Sequence, residues 1–237
     1  MTEKAWQLPL NLPLETPYEI ENLVVTESNY PASFLIEQWP NWQSPIALIV
    51  GPQGAGKSHF ASVWVEKSQA YRGHVDMLGI AVEEASKGRP ILIEDINPQN
   101  LDEVGLFHLI NVVRQMNNII SDCSLLMTSS YLPSQWNMKL NDLKSRMRSL
   151  TFCEIEHPDD TLLQAVLIKL FTDRQLNVDP SIINYIMKHI ERSLSAAQNL
   201  VAEIDANALQ QKAKITRPFV ADIMSRMVND YSGETSI

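Results

Sequence analysis

The chain has 237 residues, 45% of them apolar and 20% charged, which is enough to bury a sizeable core and excludes intrinsic disorder and collagen-like repeats. Its formal net charge is −9, the wrong sign for a surface that grips DNA phosphate, so strong direct DNA binding is not expected. Cys123 and Cys153 are too few for a disulfide framework and lack metal-ligand spacing, so both read as buried thiols. No apolar run reaches the roughly 18 residues of a membrane span, and Pro interrupts the N-terminus where a signal peptide needs an unbroken apolar stretch. A cytoplasmic protein with no membrane association is expected.

In chain order, residues 1–17 hold three prolines and little periodicity and predict an extended arm. Apolar runs at Ile46–Val50, Ile91–Ile93 and 125–128 read as buried strands, with weaker strand candidates at 74–78 and 150–155. Helical periods separate them; the clearest, over 104–119, places Phe107, Ile110, Val113 and Met116 on one stripe. The sum is an α/β fold with a five-stranded parallel sheet. Beyond residue 156 the pattern is helical throughout. Asp159 or Asp160 caps a helix carrying Leu162, Leu163, Val166, Leu167, Leu170 and Phe171. A second helix holds Ile182, Ile183, Ile186 and Ile190, a third Leu200, Val201, Ile204 and Ala208, and a short last one follows Pro218. The expected organisation is therefore an arm at 1–17, an α/β domain at 18–156 and a small helical lid at 157–237.

The strand ALIV runs straight into GPQGAGKS, residues 51–58, and then into a helix. The pattern G-x-x-x-x-G-K-S places Gly51, Gly54, Ala55 and Gly56 where successive backbone N–H groups cradle phosphate. Lys57 then reaches the terminal phosphates, and the Ser58 hydroxyl ligates Mg2+. The run PILIEDI, residues 90–96, ends a strand in Glu94 and Asp95. Buried carboxylates there are costly unless a cation or hydrogen-bond donors compensate, and by the usual order in nucleotide hydrolases of this build Glu94 takes the metal-side place and Asp95 the water-positioning one. Nucleotide hydrolases of this build usually carry Asp first and Glu second. The reversed order moves each carboxyl by about a methylene and predicts slow intrinsic turnover. LLMTSS, residues 125–130, offers the hydroxyl of Thr128 or Ser130 to the γ-phosphate or the attacking water. KLNDLKSRMR, residues 139–148, carries four basic residues against one acid, a local excess that points to an anionic partner.

Nucleotide loop, acid pair, polar third strand, basic segment and helical lid together resemble the AAA+ P-loop ATPases, and within them the DnaA-related family in its short Hda form, notably the alphaproteobacterial one. ENLVVTESN, residues 21–29, looks like the family segment that helps cover the base. LKSR, residues 143–146, resembles the box that carries an arginine finger, which implies that Arg146 is that finger. The family's initiators have an Arg just before the Leu of this box, where this chain has Asp142. The position matching their lid sensor Arg falls near Ala196, with Arg192 a turn earlier. The chain is also expected to lack the initiators' DNA-reading helix-turn-helix domain.

The resemblance implies a sliding-clamp motif near the N-terminus, and QLPLNLPL, residues 7–14, matches in type and place. Gln7 brings a donor and an acceptor, while Leu8, Leu10 and Leu12 are apolar anchors on a proline-stiffened segment. The function so implied is a regulator holding ADP or ATP with Mg2+. It docks on the DNA polymerase sliding clamp and stimulates hydrolysis of DnaA-bound ATP through Arg146, with its own ATPase weak. The alternatives are a nucleotide-dependent scaffold or loader that recruits a replication protein without stimulating hydrolysis, and an autonomous ATPase. A homo-oligomer is left open.

Overall fold

The computed structural model describes residues 23–233. They form two compact units, one ending at Asp159 and one beginning at Asp160. In the first, helix α1 (Tyr30–Gln38) precedes strand β1 (Ile46–Val50) and α2 (Lys57–Ser68). Then come β2 (Tyr71–Gly73), α3 (Leu78–Ser86), β3 (Ile91–Ile93), α4 (Glu103–Asn117), β4 (Leu125–Ser129), α5 (Asn141–Met147) and β5 (Thr151–Glu154).

The five strands are parallel in the order β2-β3-β4-β1-β5. A parallel sheet is covered by helices on both faces, which is why β1, β3 and the start of β4 read as unbroken apolar runs. Ile46, Leu48, Val50, Ile91, Ile93, Leu125 and Met127 share a core with residues of α3, α4 and α5. Ala47, Ile49, Leu92 and Leu126 pack with Phe60, Ala61 and Trp64 of α2 and with Leu35 and Ile36 of α1. Each fully buried Leu or Ile contributes about 1.5–3 kcal/mol relative to exposure.

Two predicted elements shift. The strand expected at 74–78 is β2 at Tyr71–Gly73; residues 75–77 form a single 3-10 turn and Leu78 opens α3. His74 ends the strand because its imidazole accepts the Asp76 N–H and caps that turn. In α4 the fully buried stripe is Leu106, Leu109, Ile110 and Val113, while Phe107 and Met116 lie at its margin, only partly buried.

Cys123 is buried and Cys153 half-buried, and burial pushes their thiols up to about 11 and about 12. The half-exposure of Cys153 corrects the expectation that both are buried.

The second unit holds α6 (Asp160–Asp173), α7 (Pro180–His189), α8 (Leu194–Gln211) and α9 (Arg217–Gly233). Its core joins Leu163, Leu167 and Phe171 to Ile182, Ile183, Ile186, Leu200, Val201, Ile204, Val220 and Ile223. Asp179 caps α7 by accepting the Ser181 N–H, with Pro180 in the first turn, and Ser193 caps α8 by accepting the Ala196 N–H. The last helix is 17 residues long, not short as its sequence suggests. Arg192 donates to Asp160 at 2.9 Å within this unit. Among the described residues no helix is long and apolar enough to cross a membrane.

Candidate nucleotide site

The loop between β1 and α2 is built by backbone geometry. Gly54 has φ 75° and Gly56 φ 101°, a left-handed region that L side chains rarely adopt and that turns the chain into a concavity opening on the N-terminus of α2. Gly51 is required for another reason. A Cβ there would lie 2.6 Å from the Ile155 carbonyl oxygen, so the loop passes too close to the chain leaving β5 for any side chain. Ala55 is buried in the core below the loop, while Ser58 stands exposed at the start of α2.

Lys57 is only 5% exposed. Its ammonium donates to the carbonyls of Gly51 (2.9 Å) and Pro52 (3.0 Å) and to Ser130 Oγ (3.3 Å). Burial pulls its pKa below the ordinary lysine value, and the negative charge of Asp95 acts in the opposite sense. The arrangement fits a terminal phosphate: a desolvated cation, left-handed glycines and a helix N-terminus meet at one loop.

The acid pair departs from expectation. Neither carboxylate is buried: Glu94 has 27% of its side chain exposed and Asp95 is exposed. Glu94 accepts from Arg72 at 2.9 Å, and Arg72 also donates to Ser62 Oγ of α2 at 2.7 Å. The cation that offsets Glu94 is thus a guanidinium from the edge strand. Sequence reading missed Arg72 because it displaced β2 by three residues. Asp95 sits at φ 52°, turning the chain at the end of β3, and its charge is the one that bears on Lys57.

The two hydroxyls named for β4 separate. Thr128 is fully buried and its Oγ accepts the Asp95 N–H at 2.9 Å, which holds the acid turn. Ser130 is exposed and lies against Lys57. Between them, Ser129 donates its hydroxyl to the Ile96 carbonyl at 2.8 Å, a second tie between β4 and the acid turn.

Leu143 and Met147 fix α5 in the core and leave Arg146 half-buried. Arg146 pairs with no carboxylate among the described residues. In the segment likened to a base cover, Asn29 is buried. It accepts the Thr26 N–H and donates to the Val24 carbonyl, which shapes the entry to α1. Gln7, Leu8, Leu10 and Leu12 lie outside the described residues. No cluster of three or more His, Cys, Asp or Glu is placed to hold a metal among the described residues.

Residues 160–224 match the family described as Hda, lid domain. Over 241 residues the chain is 24% identical to the chromosomal replication initiator DnaA of Borreliella burgdorferi, covering 89% of this chain and 49% of that protein. It spans about half the length of the curated relatives it matches. Domain III of Thermotoga maritima DnaA superposes with a TM-score of 0.71 at 16% identity, covering 91% of this chain and 98% of that one. DnaA from Aquifex aeolicus, bound to AMPPCP, superposes at 0.65 and 19% identity over 83% of this chain and 68% of that one. These two likenesses establish the fold. With the lid match and the DnaA relatives beside it, the chain is similar to the DnaA-related AAA+ proteins, and its residues 160–224 to the lid of the Hda type.

Proposed function

We propose that this protein is a nucleotide-bound regulator of replication initiation, one that docks on the sliding clamp through Gln7, Leu8, Leu10 and Leu12 and places Arg146 against ATP held by DnaA. Its own site takes ADP or ATP: Gly51, Gly54, Ala55 and Gly56 form the phosphate cradle, Lys57 reaches the terminal phosphates, and Ser130 completes the polar edge, while the buried Thr128 holds the acid turn. Ser58, with Glu94, holds Mg2+, which when bound screens the phosphate charge, and Asp95 positions the attacking water. The reading of this site as a binder with slow turnover is supported by the engagement of Glu94 with Arg72.

The observation that carries the proposal is the contrast between two guanidiniums: Arg72 is neutralised by Glu94, whereas Arg146 has no carboxylate partner among the described residues. An unpaired guanidinium on a helix fixed by two buried side chains is suited to neutralise charge developing on a neighbour's γ-phosphate. In other phosphoryl-transfer systems that contribution is about 10³–10⁵ in rate. The test is single-turnover hydrolysis of labelled ATP preloaded on DnaA, with clamp and DNA present. Arg146→Ala is expected to keep fold, nucleotide and clamp binding and to lose the acceleration. Full acceleration by Arg146→Ala would replace this reading with that of a scaffold that recruits a replication protein to DNA.

A further inference from the structure

The guanidinium of Arg72 is anchored on two sides by regular elements. Nη1 donates to Glu94 Oε2 at 2.9 Å, and Nη2 donates to Ser62 Oγ at 2.7 Å. Pairing of β2 with β3 sets Arg72 opposite Leu92, two residues before Glu94, so the strand register brings the cation to the end of β3. Ser62 is 6% exposed and follows Ser58 by four positions on α2, which puts both residues on one face of that helix. Arg72 therefore binds one helical turn away from the hydroxyl that the loop sequence offers to a metal.

The charges at this end of the sheet close in pairs. Arg72 offsets Glu94, and the negative charge of Asp95 bears on Lys57. With both carboxylates offset in this way, a divalent ion arriving there meets a set of side chains with no net charge. A carboxylate that serves a metal must also keep an oxygen open to it, and Glu94 Oε2 already accepts a charge-assisted hydrogen bond. The phosphate-facing part of the site is independent of this pair, since it consists of Lys57, the left-handed glycines and the start of α2.

We propose that Arg72 is a specificity-determining residue of the nucleotide site: it takes the place of the divalent ion at Glu94, so that the loop holds a nucleoside di- or triphosphate without requiring Mg2+. The proposal rests on the reading of residues 51–58 as a phosphate cradle. Mg2+ that arrives with the nucleotide reaches Glu94 only by displacing the guanidinium. A partly exposed ion pair resists that displacement by a factor of about five at most, enough to set the metal dependence of binding and too little to forbid the metal.

The experiment is equilibrium binding of ATP and ADP to the full chain, in excess Mg2+ and in excess EDTA. For the unsubstituted chain the two media are expected to give affinities within about threefold of each other. Arg72→Ala frees Glu94 for the metal and should widen the ratio for ATP by about fivefold. Adding Glu94→Gln to Arg72→Ala should return the ratio to that of the parent, and Ser62→Ala, which removes one anchor, should widen it less. Arg72→Lys keeps the charge without the fork and should fall between parent and Arg72→Ala. A purely structural role for Arg72 would lower affinity equally in both media and leave the ratio where it was. Binding of Mn2+ to the nucleotide-free chain, read by electron paramagnetic resonance, gives a second measure: it should tighten in Arg72→Ala and weaken again when Glu94→Gln is added.

An ATP affinity of the unsubstituted chain that falls more than about tenfold in EDTA overturns the proposal and leaves the nucleotide reading intact. A Mg2+ to EDTA ratio in Arg72→Ala equal to the parent's does the same. If the unsubstituted chain binds neither nucleotide more tightly than Lys57→Ala does, the nucleotide reading falls and this proposal falls with it.

Discussion

Glu94, at the end of β3, and Arg72, on the edge strand β2, are joined by a 2.9 Å ion pair. The acid that the sequence offers to a metal is thereby held by a fixed cation, and that cation is itself steadied by Ser62 of α2. An exposed pair of this kind contributes at most about 1 kcal/mol to stability. Its larger consequence is local: in the proposed nucleotide site, Arg72 and Mg2+ are competitors for Glu94.

Arg72→Ala should therefore lower the melting temperature only slightly and make ATP binding more strongly dependent on Mg2+. Steady-state ATPase measured alongside should stay well below the ~10 s⁻¹ typical of enzymes, since Asp95 remains one methylene short of the usual Glu. A Mg2+ dependence identical to the parent's would show that Glu94 takes no part in holding the metal.

Lys57→Ala is expected to abolish tight nucleotide binding. The ammonium is nearly buried and donates to the Gly51 and Pro52 carbonyls of the loop. Equilibrium binding of ADP and ATP should weaken well beyond tenfold, about 1.4 kcal/mol. Affinity retained within about threefold would remove Lys57 from the site.

Glu103 gives a pH signature. Accepting the Leu140 and Lys139 N–H groups holds its carboxyl below the usual glutamate range. A carboxyl whose pKa is lower in the folded than in the unfolded chain contributes stability above the unfolded value, about 4.3, and loses it as pH falls through the folded value. Glu103→Gln should thus melt below the parent at pH 7, and the gap should close on acidification below about pH 4. Calorimetric melts from pH 7 to pH 3 provide the comparison; a gap that does not narrow would mean that the charge is irrelevant to the tie.

Replacing Gln7, Leu8, Leu10 and Leu12 together with Ala should reduce clamp affinity by more than about tenfold while leaving nucleotide content and melting temperature unchanged. Calorimetric titration with purified clamp reads the first, and released nucleotide with thermal melts the others. Unaltered clamp affinity would mean that these residues have another task.

The sequence by itself determined the elements whose physics is local. A run such as ALIV is apolar at every position only because a parallel strand is covered on both faces, and the glycines of GPQGAGKS are demanded by backbone φ within a few residues. The lid helices are legible for the same reason, since a 3.6-residue period carries its own direction.

What the sequence could not decide is which charge meets which. Arg72 reaches Glu94 across 22 positions, Thr128 reaches the Asp95 N–H across 33, and Arg114 reaches Ser149 across 35. Strand order and helix packing alone set those pairings, and they turned an expected metal ligand into half of an ion pair.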